Sequence, residues 1–166
     1  MPEQETIDRA NEDKAEGKAP STQAGEFVKE EMDHIREGKH GARSTKQAIA
    51  IGLSKARRAG VQLQPPAQGK STGRVRKQAE RDLSKGRSGA KKKTSAKRSR
   101  VTENALKREG RSAASRSALS KQAKSAAKKR SASSRSQAAK KAAPTKGENG
   151  RRSAAKKAAG TRRRAA

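Results

Sequence analysis

The residues with the clearest chemistry in this 166-residue chain are its cations. There are 44 lysines and arginines against 16 aspartates and glutamates, a formal net charge of +28 at pH 7. Each phosphate that a lysine or arginine neutralises releases condensed counter-ions, so a chain of this kind is expected to bind nucleic acid. The cations predicted to make these contacts are Lys91, Lys92, Lys93, Lys97, Arg98, Arg100, Lys107, Arg108, Lys121, Lys124, Lys128, Lys129, Arg130, Lys140, Lys141, Arg151, Arg152, Lys156, Lys157, Arg162, Arg163 and Arg164.

The class of nucleic acid is indicated by what the basic region lacks. Phe27 is the single aromatic residue of the chain, and it lies outside that region. Proteins that bind RNA or single strands usually stack bases on aromatic side chains. Nothing in the basic region offers base-specific readout, so contacts to the phosphate backbone are expected. Duplex DNA is therefore the favoured partner, and RNA or the ribosome is the alternative.

Other residues with chemical potential are weaker candidates. The stretch "GKST", 69–72, resembles the end of a phosphate-binding loop, but Gln64 stands where that motif needs glycine. His34 and His40 have no recognised ligand spacing, so we expect an exposed pair and no metal or cofactor. There is no cysteine, and neither a nucleophile motif nor an apolar pocket is evident. We therefore expect no catalytic residue and no enzyme activity.

Charge and apolar residues are divided in opposite ways along the chain. Residues 1–60 hold 11 acidic and 11 basic side chains, so the whole net charge lies in 61–166. Eight of the 14 Leu, Ile, Val and Phe residues lie between Phe27 and Leu63, and none follows Leu119. So little apolar surface against so much charge is typical of disorder.

The predicted fold class is a small all-α protein in which a helical hairpin, about 21–60, precedes a largely disordered basic tail with transient helices. The predicted divisions are an acidic flexible N-terminus at 1–20, the hairpin at 21–60, a Pro/Gly linker at 61–73 and a basic low-complexity tail at 74–166, with weak helices at 74–85, 102–109 and 112–130.

The hairpin is predicted from apolar stripes at helical spacing and from capping signals. Ser44 and Gln47 form a capping box at the start of the second helix, and Gly60 ends it. The residues predicted to pack the two helices together are Phe27, Val28, Met32, Ile35, Ile49, Leu53 and Ala56. A less favoured interpretation makes the second helix a groove-reading element, with the cations Lys46, Lys55, Arg57 and Arg58.

The stretch "EFVKEEMDHIREGKHGARSTKQAIAIGLSKARRAG", 26–60, resembles the core of a small bacterial family of unknown function. Some members of that family are labelled plasmid stabilisation or DNA-binding proteins. The segment "RSAASRSALSKQAK", 111–124, is similar to segments of such proteins, and "AAKKAAPTK" and "SAAKKAAG" resemble linker-histone-like tails. The activity of that family is not established, so the resemblance implies little about mechanism, and the similarity to linker-histone-like tails is one of composition.

The expected function is therefore non-enzymatic, sequence-nonspecific DNA binding by a nucleoid- or plasmid-associated protein. The hairpin at 21–60 is expected to serve as a docking or self-association element or to contact a protein partner. No stretch approaches the roughly 20 apolar residues of a membrane span, and the acidic N-terminus lacks the apolar run of a secretory signal. A cytoplasmic, nucleoid-associated location is expected.

Overall fold

The computed structural model describes residues 2–89 and 95–145, together with single residues and pairs between 147 and 163. These described residues form seven α-helices and one turn of 3-10 helix, and they contain no strand. The helices are α1 Gln4–Ala15, α2 Pro20–Glu37, α3 Thr45–Arg58, α4 Gly73–Ser88, α5 Ala96–Lys107, α6 Arg116–Lys128 and α7 Ala132–Thr145, with the 3-10 turn at Ser112–Ala114. The prediction of a small all-α protein is confirmed. Contacts divide the chain into two compact units, residues 1–122 and 123–166.

Helices α2 and α3 form the centre of the first unit, and they approach closely at Gly52. A Cβ added to Gly52 would lie 2.7 Å from the Cα of Val28, so no larger residue fits there unless the backbones move apart. The predicted start of α3 is present, because the Ser44 hydroxyl accepts a hydrogen bond from the Gln47 backbone N–H at 3.3 Å. At the end of α2, Gly38 adopts the left-handed conformation, with φ of 79°.

Two apolar clusters include residues of this helix pair. One contains Met32, Ile35, Ala42, Ala48, Ala113 and Ala114, and the other contains Ala10, Ala24, Phe27, Ala56 and Val61. The structure places four of the seven predicted packing residues, Phe27, Met32, Ile35 and Ala56, among these buried side chains. The other three, Val28, Ile49 and Leu53, are partly buried and pack against the clusters.

The N-terminal segment, expected to be flexible, contains helix α1, which covers one side of α2. Ala10 is buried, and Ile7 packs beside it against the cluster that contains Phe27. Arg9 Nε also donates to Glu26 Oε2 at 2.8 Å, which joins the two helices. This helix has little sequence signal because Ile7 is its one large apolar residue, and it therefore depends on its contacts with α2 for stability.

Part of the predicted tail, residues 106–119, also packs against the central helices. The Ala42 backbone N–H donates to the Gly110 carbonyl at 3.1 Å. The buried Thr45 hydroxyl donates to the Ala113 carbonyl at 2.7 Å. The first unit therefore reaches well beyond the predicted hairpin, and the buried residues of this contact are Ala113 and Ala114, with Leu119 packed partly buried beside them.

The three weak helices predicted in the basic region all have counterparts, with shifted ends. The segment at 74–85 corresponds to α4, the one at 102–109 to α5, which begins earlier, and the one at 112–130 to the 3-10 turn and α6. Disorder of the tail stays a prediction. No helix of the described residues has the length and apolar character needed to cross a membrane.

Candidate functional site

Most of the cations predicted to bind nucleic acid are exposed where the structure describes them. These are Lys97, Arg98, Arg100, Lys107, Arg108, Lys121, Lys124, Lys128, Lys129, Arg130, Lys140, Arg152, Lys156 and Arg163. Lys107 pairs with Glu103 at 2.7 Å. The side chains of Lys91, Lys92, Lys93, Lys141, Arg151, Lys157, Arg162 and Arg164 lie outside the described part.

Helix α4 carries a basic stripe that the sequence analysis did not single out. Arg74, Lys77, Arg81 and Lys85 recur at steps of three and four residues. At roughly 100° per residue, they share one face of the helix, on the side opposite the buried Leu83. The spacing of these cations is visible in the sequence. It indicates an exposed basic face only once the buried face of α4 is known.

The orientation of α4 is fixed by a buried carboxylate, that of Asp82, which is 2% exposed. Its oxygens accept hydrogen bonds from Ser54 Oγ of α3 at 2.7 Å and from Gln78 Nε2 at 3.1 Å. Arg58 Nε lies 3.8 Å away as an ion-pair partner. Gly86 further along α4 meets the carbonyl of Arg57 so closely that a Cβ there would overlap it. These contacts hold the basic stripe toward solvent.

The four cations of the α4 stripe are exposed and make no ion pair within the described residues. Arg76, off the stripe, differs because its Nε lies 3.0 Å from Glu80 Oε1. In α6, Lys121, Lys124 and Lys128 likewise share one face of their helix. Unpaired cations on a fixed helix face are available to an external anion.

The groove-reading interpretation requires the four cations of α3 to be exposed, but only two of them are. Arg57 is buried, its Nε donates to the Leu63 carbonyl at 3.0 Å, and burial lowers the pKa of its guanidinium. Lys55 is only 15% exposed, because it turns toward buried carboxylates. Lys46 and Arg58 alone remain exposed. Helix α3 therefore lacks the continuous basic face that a groove-reading helix would need.

A buried ionisable cluster lies between α2, α3 and the loop that joins them. Glu31 is fully buried, and its Oε2 lies 2.7 Å from Lys55 Nζ as an ion pair. The Oε1 of Glu31 lies 3.4 Å from His40 Nε2. Glu30 Oε1 lies 3.7 Å from Lys55 Nζ and 3.8 Å from His34 Nε2.

The expectation that His34 and His40 form an exposed pair is wrong. Their side chains are 13% and 16% exposed, and their ring centroids lie 6.1 Å apart. The physical reason is the left-handed turn at Gly38, which directs the chain back over the end of α2. Spacing along the sequence does not reveal contacts made across such a turn.

Among the described residues, three of the four carboxylate oxygens of Glu30 and Glu31 lack an aligned donor, whereas Glu30 Oε1 accepts from the Glu3 backbone N–H at 3.2 Å. Neither oxygen of Glu31, nor Oε2 of Glu30, accepts an aligned hydrogen bond within the described residues. An unsatisfied buried polar atom of this kind costs about 1–3 kcal/mol. At the edge of the cluster, Glu3 Oε1 lies 2.9 Å from His34 Nε2 and 3.1 Å from Lys39 Nζ, and these two partners lower the pKa of the Glu3 carboxyl.

The comparisons with known proteins agree with part of the resemblance. Residues 15–68 match a family described only as a family of unknown function (DUF6496). The matched residues include α2, α3 and the chain up to Gln68. That match carries no plasmid-stabilisation or DNA-binding label. No curated protein and no solved structure matches the chain. The ionisable cluster of Glu30, Glu31, His34, His40 and Lys55 lies inside the matched residues, and the α4 stripe lies outside them.

Proposed function

We propose that this protein binds the backbone of duplex DNA without sequence preference, and that it does not act as an enzyme. The observation that carries the proposal is the α4 stripe, four exposed and unpaired cations on the outer face of a helix held by the buried Asp82. The other exposed cations of the described residues, such as Lys97 and Lys107 of α5, add positive charge to the chain. A histone-like association with the nucleoid or with a plasmid follows from this activity.

The dimensions of the stripe suit a phosphate backbone. Arg74 and Lys85 are eleven residues apart, which corresponds to roughly 16 Å along a helix axis. Successive phosphates of one strand advance about 3.4 Å along a DNA axis, so this length runs beside about five of them. Four cations at this spacing contact phosphates without any base-specific geometry.

Duplex DNA is favoured over RNA by the burial of the one aromatic ring. Phe27 is 1% exposed and belongs to an apolar cluster, so it is not available for base stacking. Recognition of single strands relies on such stacking. RNA and the ribosome remain the alternative partners, and a direct comparison of nucleic acids separates them.

The elements packed around the hairpin favour a role for it other than docking or self-association. Its apolar sides are covered by α1 and by residues 106–119 of the same chain. We therefore assign α2 and α3 the task of holding α4, through Ser54 and the close contact at Gly86. Self-association is not needed to bury the apolar surface.

The test replaces the stripe with uncharged residues. A single variant carries Gln in place of Arg74, Lys77, Arg81 and Lys85. It should bind a short mixed-sequence DNA duplex more weakly than the native chain. The slope of log K against log salt should fall by about 3–4 units, since each phosphate contact contributes about 0.9. Fluorescence anisotropy at several salt concentrations measures both quantities.

The matched control removes the same charge elsewhere. Lys14, Lys29, Arg43 and Lys46 are exposed and make no ion pair in the described residues, so their replacement by Gln also removes four units. This control should change the slope by less than about one unit. Equal losses in both variants would show that only net charge matters and that α4 is not an interface. Stronger binding of single-stranded RNA than of the duplex would favour the alternative partner.

A further inference from the structure

We propose that Glu31, His34 and His40 form a binding site for a divalent transition-metal ion, and that Zn²⁺ fits it best. One ligand atom from each of these residues lies within 4.8 Å of the others. The site is separate from the basic stripe and does not depend on DNA binding.

The three ligands are brought together by local structure. Glu31 and His34 are three residues apart on α2, a spacing that places both side chains on one face of a helix. The left-handed turn at Gly38 returns the chain so that His40 lies over that face. His40 Nδ1 lies 3.1 Å from the Gly41 carbonyl, to which Nδ1–H donates. In the neutral tautomer with the proton on Nδ1, the lone pair of Nε2 faces Glu31, the arrangement usual for a metal-binding histidine.

One of the three separations between ligand atoms is that of a tetrahedral site, and the other two are within 4.8 Å. Zinc–ligand bonds of about 2.0–2.1 Å place neighbouring ligand atoms about 3.3 Å apart in a tetrahedron. His40 Nε2 and Glu31 Oε1 are separated by 3.4 Å. His34 Nε2 contacts Glu3 Oε1 at 2.9 Å and would exchange this contact for the ion.

The charge of the cluster also favours a divalent ion. Glu30 and Glu31 bury two carboxylates, while Lys55 supplies one ammonium. The two oxygens of Glu31 have different neighbours: Oε2 lies beside Lys55, and Oε1 faces His40. Neither oxygen accepts an aligned hydrogen bond from the described part of the chain. An ion bound at Oε1 satisfies that oxygen and leaves the lysine pair intact. The competing explanation is that protonated histidines supply the missing charge.

Two imidazoles and one carboxylate form a ligand set typical of Zn²⁺. A bound ion would hold the loop between α2 and α3 in place. The same loop donates from the Gly41 and Ala42 N–H groups to the carbonyls of Leu106 and Gly110. Metal binding is therefore expected to stabilise the packing of residues 106–119 against the central helices.

The test titrates the full-length chain with ZnCl₂ by calorimetry, and with CoCl₂ by visible absorption. The expected result is one Zn²⁺ per chain, with the intense visible bands of tetrahedral Co²⁺ that added Zn²⁺ removes. The double variant His34→Gln/His40→Gln should bind Zn²⁺ at least about 100-fold more weakly, since even an outer-shell change costs 10–100-fold. Zn²⁺ should also raise the thermal unfolding temperature of the native chain and leave that of the double variant unchanged.

The matched control is Asp33→Asn, which removes a carboxylate beside the site that pairs with Arg36 instead. This variant should bind Zn²⁺ as the native chain does. If the double variant loses its helical circular dichroism, His40→Gln alone, in the loop, gives the same comparison. Absence of stoichiometric binding, or binding that survives loss of both histidines, would overturn the proposal and leave protonated histidines as the explanation.

Discussion

At the residue scale, the tightest constraint on the fold is the absence of a side chain at Gly52. A Cβ there would press on the backbone of α2, at Val28 Cα, rather than on a side chain that can move. Gly52→Ala gains about 1 kcal/mol of helix propensity, but overpacking of this kind costs about 1–3 kcal/mol. The variant is expected to be less stable than the native chain in urea unfolding followed by circular dichroism.

Gly25→Ala is the control for this substitution. Gly25 lies on the exposed side of α2, and a Cβ there meets nothing within 4 Å. The same change should therefore stabilise the protein, by about 0.5–1 kcal/mol. If both variants gain stability, α2 and α3 do not approach as closely as described here.

The residues that sequence reasoning missed share a physical cause. Glu30, Glu31 and Lys55 read as ordinary charged positions of amphipathic helices, and their burial depends on how α3 lies against α2. The histidines meet across the turn at Gly38. By contrast, Phe27 was predictable as a core residue from the apolar stripe alone. Hydrophobic periodicity identifies a buried face, but it does not identify polar groups that a third element encloses.

At the scale of elements, α2 and α3 were predictable because each combines an apolar stripe with a clear end signal, such as Gly38 or Ser44. Helix α1 and residues 106–119 were not, since their contacts rely on alanines and on backbone carbonyls. Alanine forms helices well but gives no periodic hydrophobic signal, so its burial follows from its partners. The seam at 61–73 was recognisable from its prolines and glycines.

The packing of residues 106–119 can be tested through Thr45. Thr45→Val keeps the shape of the side chain but leaves the buried Ala113 carbonyl without its donor. A loss of about 1–3 kcal/mol in unfolding free energy is expected, together with faster hydrogen exchange across residues 106–114. Thr22→Val, at an exposed position of α2, is the control and should leave both measurements nearly unchanged. Unchanged exchange in Thr45→Val would mean that this segment does not depend on the central helices.

At the scale of the whole molecule, the net charge is shared evenly between the two units. Residues 1–122 hold 29 basic and 15 acidic side chains, net +14, and residues 123–166 hold 15 basic and one acidic, also net +14. The first unit presents its cations on packed helices such as α4. The second has one acidic residue, Glu148, and only small or polar neighbours for its cations. If this protein binds DNA as proposed, two such regions in one chain are expected to act as linked binding modules for one polyanion.

Separating the two units therefore tests how the molecule binds. A chain ending at Gln122 should retain DNA binding with a smaller salt slope, because it keeps the α4 stripe and half of the net charge. Joining the units makes the second binding event intramolecular, so the full chain should exceed the truncated one by about 10²–10⁴-fold at low salt. Anisotropy titrations of the full chain, residues 1–122 and residues 123–166 against one duplex measure all three affinities. If residues 123–166 alone match the full chain, residues 1–122 contribute nothing to binding, and the function proposed for α4 is wrong.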